Sequence, residues 1–312
     1  MPGRGSLSIN RCLVILSTNR MPDNRAMYEA FSEYVAVDVI RLSSDEQKNL
    51  KKSLKEVNYK NYDIVIFDLF FKRIYKQYRY INKIHNLFIY EEDACQNFIE
   101  VSRWHGKFLQ FYRRVPRARV LCTGVGLAAR LRRAGVDAHF FPKGFDETIV
   151  WDEGVERDIP YGFVGRLASD TYRERREFLV DLQKSIPLQI LRSKPGEAYR
   201  NTLNRINFFV SADIGLGEYM IKNFEAMAAG CVLCAFGQGE EEVGLGLVDM
   251  ENIVLYSNQG ELLAKLEALT ENEELSRSIA TCGREYAKNN FSLKVLGKKL
   301  FQIVEKNTSL VG

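Results

Sequence analysis

The stretch Asn207 to Phe236, NFFVSADIGLGEYMIKNFEAMAAGCVLCAF, constrains the chain more than any other. A short apolar and aromatic run, Asn207–Ser211, leads into a loop freed by Gly215 and Gly217. Residues Glu218–Ala229 suit a helix, Gly230 stands where a helix stops, and Cys231–Phe236 is apolar again. That order is one strand–helix–strand unit. On a helical wheel Met220, Phe224 and Met227 share a core-facing side, while Glu218, Lys222 and Glu225 fall on the opposite, outward one. The N–H groups at the start of such a helix, around Gly217, Tyr219 and Met220, favour an anion, and a diphosphate fits there. A carboxylate further along the helix then suits sugar hydroxyls. The competing reading is a solvated face carrying one Glu–Lys pair.

The string EAMAAG resembles the donor-site helix of the glycosyl transferases group 1 family, the retaining GT-B enzymes, and in particular its spore-maturation-protein-like branch. The family spaces two glutamates E-x7-E. The second, matched by Glu225, is implied to contact the nucleotide ribose, and the first the donor sugar. Eight positions before Glu225 stands Gly217, and the acid is its neighbour Glu218, so the spacing here departs to E-x6-E.

A chain of 312 residues accommodates two domains, and 46% hydrophobic with 27% charged residues is ordinary for a globular protein. The run Cys12–Leu16, flanked by Arg11 and Arg20, is too short for a signal peptide or a membrane span, which points to a cytoplasmic protein with its six cysteines reduced. Cys231 and Cys234 form a lone C-x-x-C inside an expected strand, where residues three apart face opposite ways, so neither zinc nor redox chemistry is expected. Net charge is uneven. Residues 1–150 hold 25 Lys and Arg against 16 Asp and Glu, and residues 151–312 hold 19 against 24.

In the first half, residues 1–8 read as disordered. Apolar runs at Cys12–Ser17, Val35–Ile40, Asp63–Asp68, Leu87–Tyr90 and Arg119–Cys122 alternate with helical stretches, including Asp45–Asn58 and Ala94–Arg103, which argues for a parallel sheet with its site at the strand carboxyl ends. Glu91, Glu92 and Asp93 crowd one such end. Either a carboxyl there has a raised pKa and handles a proton, or Asp93 caps the following helix. The resemblance makes Glu91 and Glu92 candidates near the acceptor hydroxyl. Segments 72–83, 103–119 and 128–133 interleave Lys and Arg with aromatic residues, which suits either solvated helix faces or an anionic membrane surface; no nucleic-acid motif accompanies them. Thr123–Ala129 contains G-x-G-x-x-A, a dinucleotide fingerprint when taken alone, but no acid follows the next strand to hold a ribose. FPKGFD at 141–146 resembles the family's PNGVD exit from the first domain, with Lys143 in place of asparagine.

Residues 148–159 read as a linker, and a second sheet starts at Tyr161–Val164. Gly165-Arg166-Leu167 resembles the family's VGRL; glycine admits a ligand and the guanidinium suits a phosphate. The family's second basic residue then falls to Arg173, Arg175 or Arg176, with Arg176 favoured. Ser193 and Lys194 occupy the place where the family holds the base. GQGEEEVGLG at 237–246 reads as a mobile acidic loop, and a final helix with Leu293, Leu296, Leu300 and Val304 at helical spacing is expected to pack back onto the first domain.

The resemblance thus implies an α/β protein of GT-B type, with a first domain at 1–147, a nucleotide-sugar domain at 160–292 and a terminal helix over 293–312. It implies transfer of a sugar from a UDP- or GDP-sugar to a saccharide or lipid-linked acceptor in cell-surface glycan synthesis. Arg166, Arg176, Glu218 and Glu92 are the candidate catalytic residues; Gly165, Arg173, Ser193, Lys194, Gly217, Tyr219, Met220, Lys222 and Glu225 are the candidate donor contacts. No metal and no cofactor beyond the donor are implied, and peripheral contact with the inner membrane face fits the basic first half. An NAD-dependent sugar-nucleotide enzyme using 124–129, or a noncatalytic nucleotide-sugar binder, are the alternatives.

Overall fold

The computed structural model describes residues 9–308 except Asn19 and Pro22. Residues 1–8, expected to be disordered, lie outside the described residues. Six strands form the first sheet: β1 (Arg11–Ser17), β2 (Ala36–Leu42), β3 (Ile64–Asp68), β4 (Leu87–Glu91), β5 (Arg119–Cys122) and β6 (Ala138–Phe140), in the order β2-β1-β3-β4-β5-β6. A second sheet holds β7 (Ile159–Val164), β8 (Leu188–Leu191), β9 (Ile206–Ser211), β10 (Val232–Phe236) and β11 (Val254–Tyr256), in the order β11-β10-β9-β7-β8. Every pairing is parallel. Parallel strands are covered on both faces, which is why β1, β3 and β4 are unbroken apolar runs with no polar alternation.

In each sheet the order reverses beside the first strand, between β1 and β3 and between β7 and β9, and ligands of open parallel sheets bind at such reversals, outside the strand carboxyl ends. The carboxyl ends of the two sheets face each other, since Glu218, after β9, bonds Thr123, after β5.

One face of the first sheet is covered by helices that lie between its own strands, the other by Arg25–Phe31 together with the last helix, Leu293–Asn307. Leu293, Leu296, Leu300 and Val304 are all buried there. Gly297 lets the two helices touch: a Cβ on it would lie 2.5 Å from the Ala30 Cβ and 2.6 Å from the Met27 carbonyl. Where the chain leaves the first domain and where it returns, the two crossings lie side by side. Phe145 N–H donates to the Phe291 carbonyl (3.0 Å) and Leu293 N–H to the Phe145 carbonyl (2.9 Å). Gly144 has no room for a side chain there, a Cβ falling 2.5 Å from the Phe291 carbonyl.

Two expected helices are cut short. Asp45–Asn58 becomes a 3-10 turn, Glu46–Asn49, and a single turn, Leu50–Ser53, because the Asn49 side chain caps Lys52 N–H and restarts the chain direction. Ala94–Arg103 is only a 3-10 turn, Ala94–Phe98, and Asp93 makes no side-chain cap; the Asn97 carbonyl and side chain instead accept from Gly106 N–H and Leu109 N–H.

Candidate active site

The helix after β9 runs Ile221–Ala228 and starts three residues later than its apolar pattern suggests. Gly215 (φ 74°) and Gly217 (φ 67°) hold the left-handed conformation that glycine tolerates best. The buried Asp213 carboxylate then fixes Met220 as the residue before the helix, accepting from Met220 N–H (2.9 Å) and the Asn223 amide (2.6 Å). Arg175, itself buried, pairs with that carboxylate. Glu218 and Tyr219 therefore belong to the loop, and Ile221 and Lys222 keep the first-turn N–H groups that have no partner among the described residues. The solvated-face reading fails: Glu218 and Glu225 are buried, and Lys222 is half-buried. The helix packs against β10 and against the helix Glu273–Phe291, Phe224 meeting the Phe291 ring.

Glu225 accepts from the Tyr199 hydroxyl (2.6 Å). Burial raises its carboxyl pKa, against the opposing pull of that bond and of Lys222. Burial likewise lowers the Lys222 ammonium, Glu225 partly offsetting it. Lys222 crosses the end of β7: a Cβ on Gly165 would lie 3.0 Å from the Lys222 Cε and 2.8 Å from the Phe163 ring. Gly165 is thus the gap through which the Lys222 stem passes. Of the arginines that follow, Arg176 braces the turn by donating to the Leu167 carbonyl (3.0 Å), Arg175 is committed to Asp213, and Arg173 is exposed. The cation at the β7 tip next to Arg166 is therefore Lys222, delivered by a different element from the one the motif spacing points to. Lys194 is exposed at the end of β8, and the Ser193 hydroxyl is buried without a partner among the described residues.

Glu218 joins the two domains. One oxygen accepts from the Thr123 hydroxyl (2.6 Å) and the Lys143 ammonium (2.8 Å), and the other is buried without a partner among the described residues. Burial alone would lower Lys143, but the charge and hydrogen bond of Glu218 together with the charges of its other neighbours, Glu92 among them, outweigh it and the ammonium is raised. Lys143 and Glu218 are the two places where the chain departs from the motifs of its resembled family, and they are the two halves of one buried ion pair.

The G-x-G-x-x-A loop is occupied by protein. Gly126 N–H donates to Glu241 (2.8 Å), and a Cβ on Gly124 would lie 3.1 Å from the Glu218 Cβ. Its small residues admit the second domain at the start of the helix Val125–Arg133, where a dinucleotide would otherwise approach. Glu241 is carried by a helix, Glu240–Leu245, so the stretch expected to be a mobile acidic loop is ordered, with Glu241 and Glu242 buried and the Tyr219 hydroxyl bonded to Glu242. Burial raises the Glu241 carboxyl to about 7, against the N–H groups of Val125 and Gly126.

The three acids after β4 separate. Glu91 is buried and raised by that burial and by Asp93, and it accepts from Asp93 N–H (2.9 Å). Glu92 is bound by Arg20 (2.7 Å) and by the Tyr90 hydroxyl (2.8 Å), and Arg20 also pairs with Asp68 (2.6 Å), which closes the reversal point of the first sheet. Despite its burial, Glu92 is held below its ordinary value by Arg20. Asp93 alone of the three opens into the cavity between the domains, whose volume is about 490 Å³. The walls of the cleft and the charge on Glu92 raise its carboxyl. Across the same cavity stands Arg166, with Tyr172 beside it. Of the two readings the sequence offered for these acids, the Asp93 cap does not form, and the residue that opens into the cavity at this strand end is Asp93, where the resemblance pointed to Glu91 and Glu92.

Residues 157–300 match the family model described as "Glycosyl transferase-like". No curated protein matches the sequence. Among solved structures the fold is similar to a sucrose-phosphate synthase from Thermosynechococcus elongatus (TM-score 0.71, 12% identity, 95% of this chain and 98% of that one). It is also similar to HepE of Anabaena in complex with UDP-glucose (TM-score 0.67, 12% identity, 95% and 99%). A third similar structure is phage T4 BGT in complex with its UDP-glucose substrate (TM-score 0.62, 13% identity, 94% and 99%). At such identities the structural likeness speaks for the fold, and the matched segment, which contains Arg166, Lys222 and Glu225, speaks for the family. The chain has the GT-B fold, and its second domain, over residues 157–300, matches the glycosyl transferase-like family model.

Proposed function

We propose that this glycosyltransferase transfers a sugar from a nucleoside-diphosphate sugar, UDP-linked as in the complexes of its structural neighbours, to a saccharide or lipid-linked acceptor, with retention and without a metal. The observation that carries the reading is Lys222 and the free first-turn N–H groups gathered at the carboxyl ends of β7 and β9, beside the turn at Gly165 that leads into Arg166, with Glu225 one turn further in. As the bond to the donor sugar breaks, negative charge builds on the departing diphosphate, and fixed cations and amide groups placed there lower the barrier by several kcal/mol. Glu225, steadied by Tyr199, takes the ribose hydroxyls. The unpartnered oxygen of Glu218 faces the sugar, while its other oxygen holds the first domain in place. Arg176 supports the Arg166 turn through the Leu167 carbonyl. Retention rests on the family resemblance, and independence from metal on the cations at the β7 tip taking the role a metal would fill.

The test is thermal stabilisation by UDP-, GDP- and ADP-sugars, because a ligand that binds only the folded state raises its melting temperature. UDP-glucose is expected to stabilise the wild type and to lose most of that effect with Glu225→Gln. Stabilisation that survives both Glu225→Gln and Arg166→Ala overturns the site. Transfer that is abolished by excess chelator and restored by magnesium overturns the metal-free mechanism. Exposed Lys72, Lys76, Arg103 and Lys107 support contact with a cell-surface glycan precursor on an anionic membrane. Failure of anionic liposomes to retain the protein at low salt overturns that part.

A further inference from the structure

The cavity between the domains is lined by charges of both signs. Asp93, which feels the charges of the buried Lys143 and Glu218, and Tyr172, which feels Asp93 and Lys143 in turn, stand in its wall. The first-domain wall also carries Lys72 and Arg103, both exposed. Neither has a carboxylate within ion-pairing distance among the described residues. Both are steadied by aromatic faces instead, Lys72 Nζ lying 5.3 Å from the Phe70 ring centroid and the Arg103 guanidinium 4.9 Å from that of Trp104. Trp104 is itself locked edge-on against Phe71 and Tyr75. Two unpaired, pre-oriented cations and a carboxylate lining one pocket suit a molecule that carries both an anion and hydroxyl groups. Asp170, on the second domain's wall, adds a further acceptor for hydroxyls.

We propose that the acceptor is a sugar bearing a phosphate or carboxylate, its hydroxyls received by Asp93 and its anion held between Lys72 and Arg103. This rests on the glycosyltransferase reading and adds the chemical class of the acceptor to it. Arg166 borders both sites, but Lys222, Glu225 and the first-turn N–H groups of the donor site lie outside the lining of this cavity, so the two can fail separately.

Trp104 and Trp151 are the two tryptophans of the chain, so Trp151→Phe leaves a fluorescence signal from the cavity wall alone. In that background, binding of methyl glucoside, glucose 1-phosphate and glucose 1-phosphate esterified to a dodecyl chain is titrated. The expected result is about tenfold tighter binding of glucose 1-phosphate than of methyl glucoside, with the preference shrinking as salt is raised. Lys72→Gln/Arg103→Gln abolishes the preference, whereas Asp93→Asn weakens both sugars alike. Added affinity from the dodecyl chain identifies a lipid-borne phosphate, and its absence a free sugar phosphate. Equal binding of the neutral and charged sugars, binding of neither, or a preference that persists in the double variant overturns the proposal. So does tighter binding of a short DNA duplex than of the sugar phosphate. UDP-glucose hydrolysis, which reads the donor site, is expected to be unchanged in the Lys72/Arg103 variant. Loss of hydrolysis in the wild type would count against the donor reading and leave the sugar-phosphate measurement standing.

Discussion

Lys143 and Glu218 are where a single residue matters most to this chain. Both are buried, and removing one partner of a buried pair strands the other charge at a cost of about 3–5 kcal/mol. Glu218→Ala is therefore expected to lower the urea midpoint strongly, and the double variant Glu218→Ala/Lys143→Met to recover much of the loss; equal losses in both would show that Lys143 finds another partner. For Arg166→Ala, kcat is expected to fall roughly 100- to 1000-fold, the scale seen when one charge-stabilising group is removed. Stopped-assay kinetics with UDP-glucose check this, and a change confined to KM would place Arg166 away from the departing phosphate. In the sequence the two departures at 143 and 218 looked like separate weaknesses in separate motifs. Nothing in either motif says what lies across a domain junction, so only the coordinates reveal them as mates.

At the scale of the element, the strands were legible because each is buried on both faces and leaves an unbroken apolar run. The helix that holds Glu225 was legible in kind and misread in extent. Its start is set by Asp213 and by two left-handed glycines, which are tertiary and loop features that apolar spacing does not encode. The same limit applies to Glu240–Leu245, whose acids pointed to a loop and whose burial comes from Tyr219, Gln238 and the N–H groups of the first domain. The contact between Arg25–Phe31 and Leu293–Asn307 gives a sharp prediction at this scale. Gly297→Ala places a methyl group within 2.6 Å of a backbone carbonyl, and such overpacking costs about 1–3 kcal/mol. A lower melting temperature with unchanged far-UV circular dichroism is the expected outcome; an unchanged melting temperature would mean that the helices slide apart freely.

The whole molecule is two sheets whose carboxyl ends meet across one cavity, with Glu241 reaching from the second domain to the start of a first-domain helix. Because folding raises the Glu241 carboxyl from 4.5 to about 7, the unfolded chain releases its proton over that interval while the folded chain keeps it. Stability is therefore lost as pH rises from about 4.5 to about 7 and is level above, by about 2 kcal/mol after allowance for solvent screening. Glu218 raises this carboxyl and Lys143 lowers it, so both belong to the same titration. Glu241→Gln is expected to flatten that part of the profile and to raise the melting temperature at pH 8 but not at pH 4.5; a parallel profile in the variant would assign the slope to other groups.

The last helix also sets a schedule for biosynthesis. Roughly 150 residues separate the end of β6 from Leu293, so a ribosome adding about 5–20 residues each second finishes the first sheet roughly 8–30 s before it delivers the helix that completes the cover of one face. During that interval the nascent sheet has one oily side only partly covered, by Arg25–Phe31, and chaperone occupancy of polypeptides stalled between these two points should exceed that of the released product.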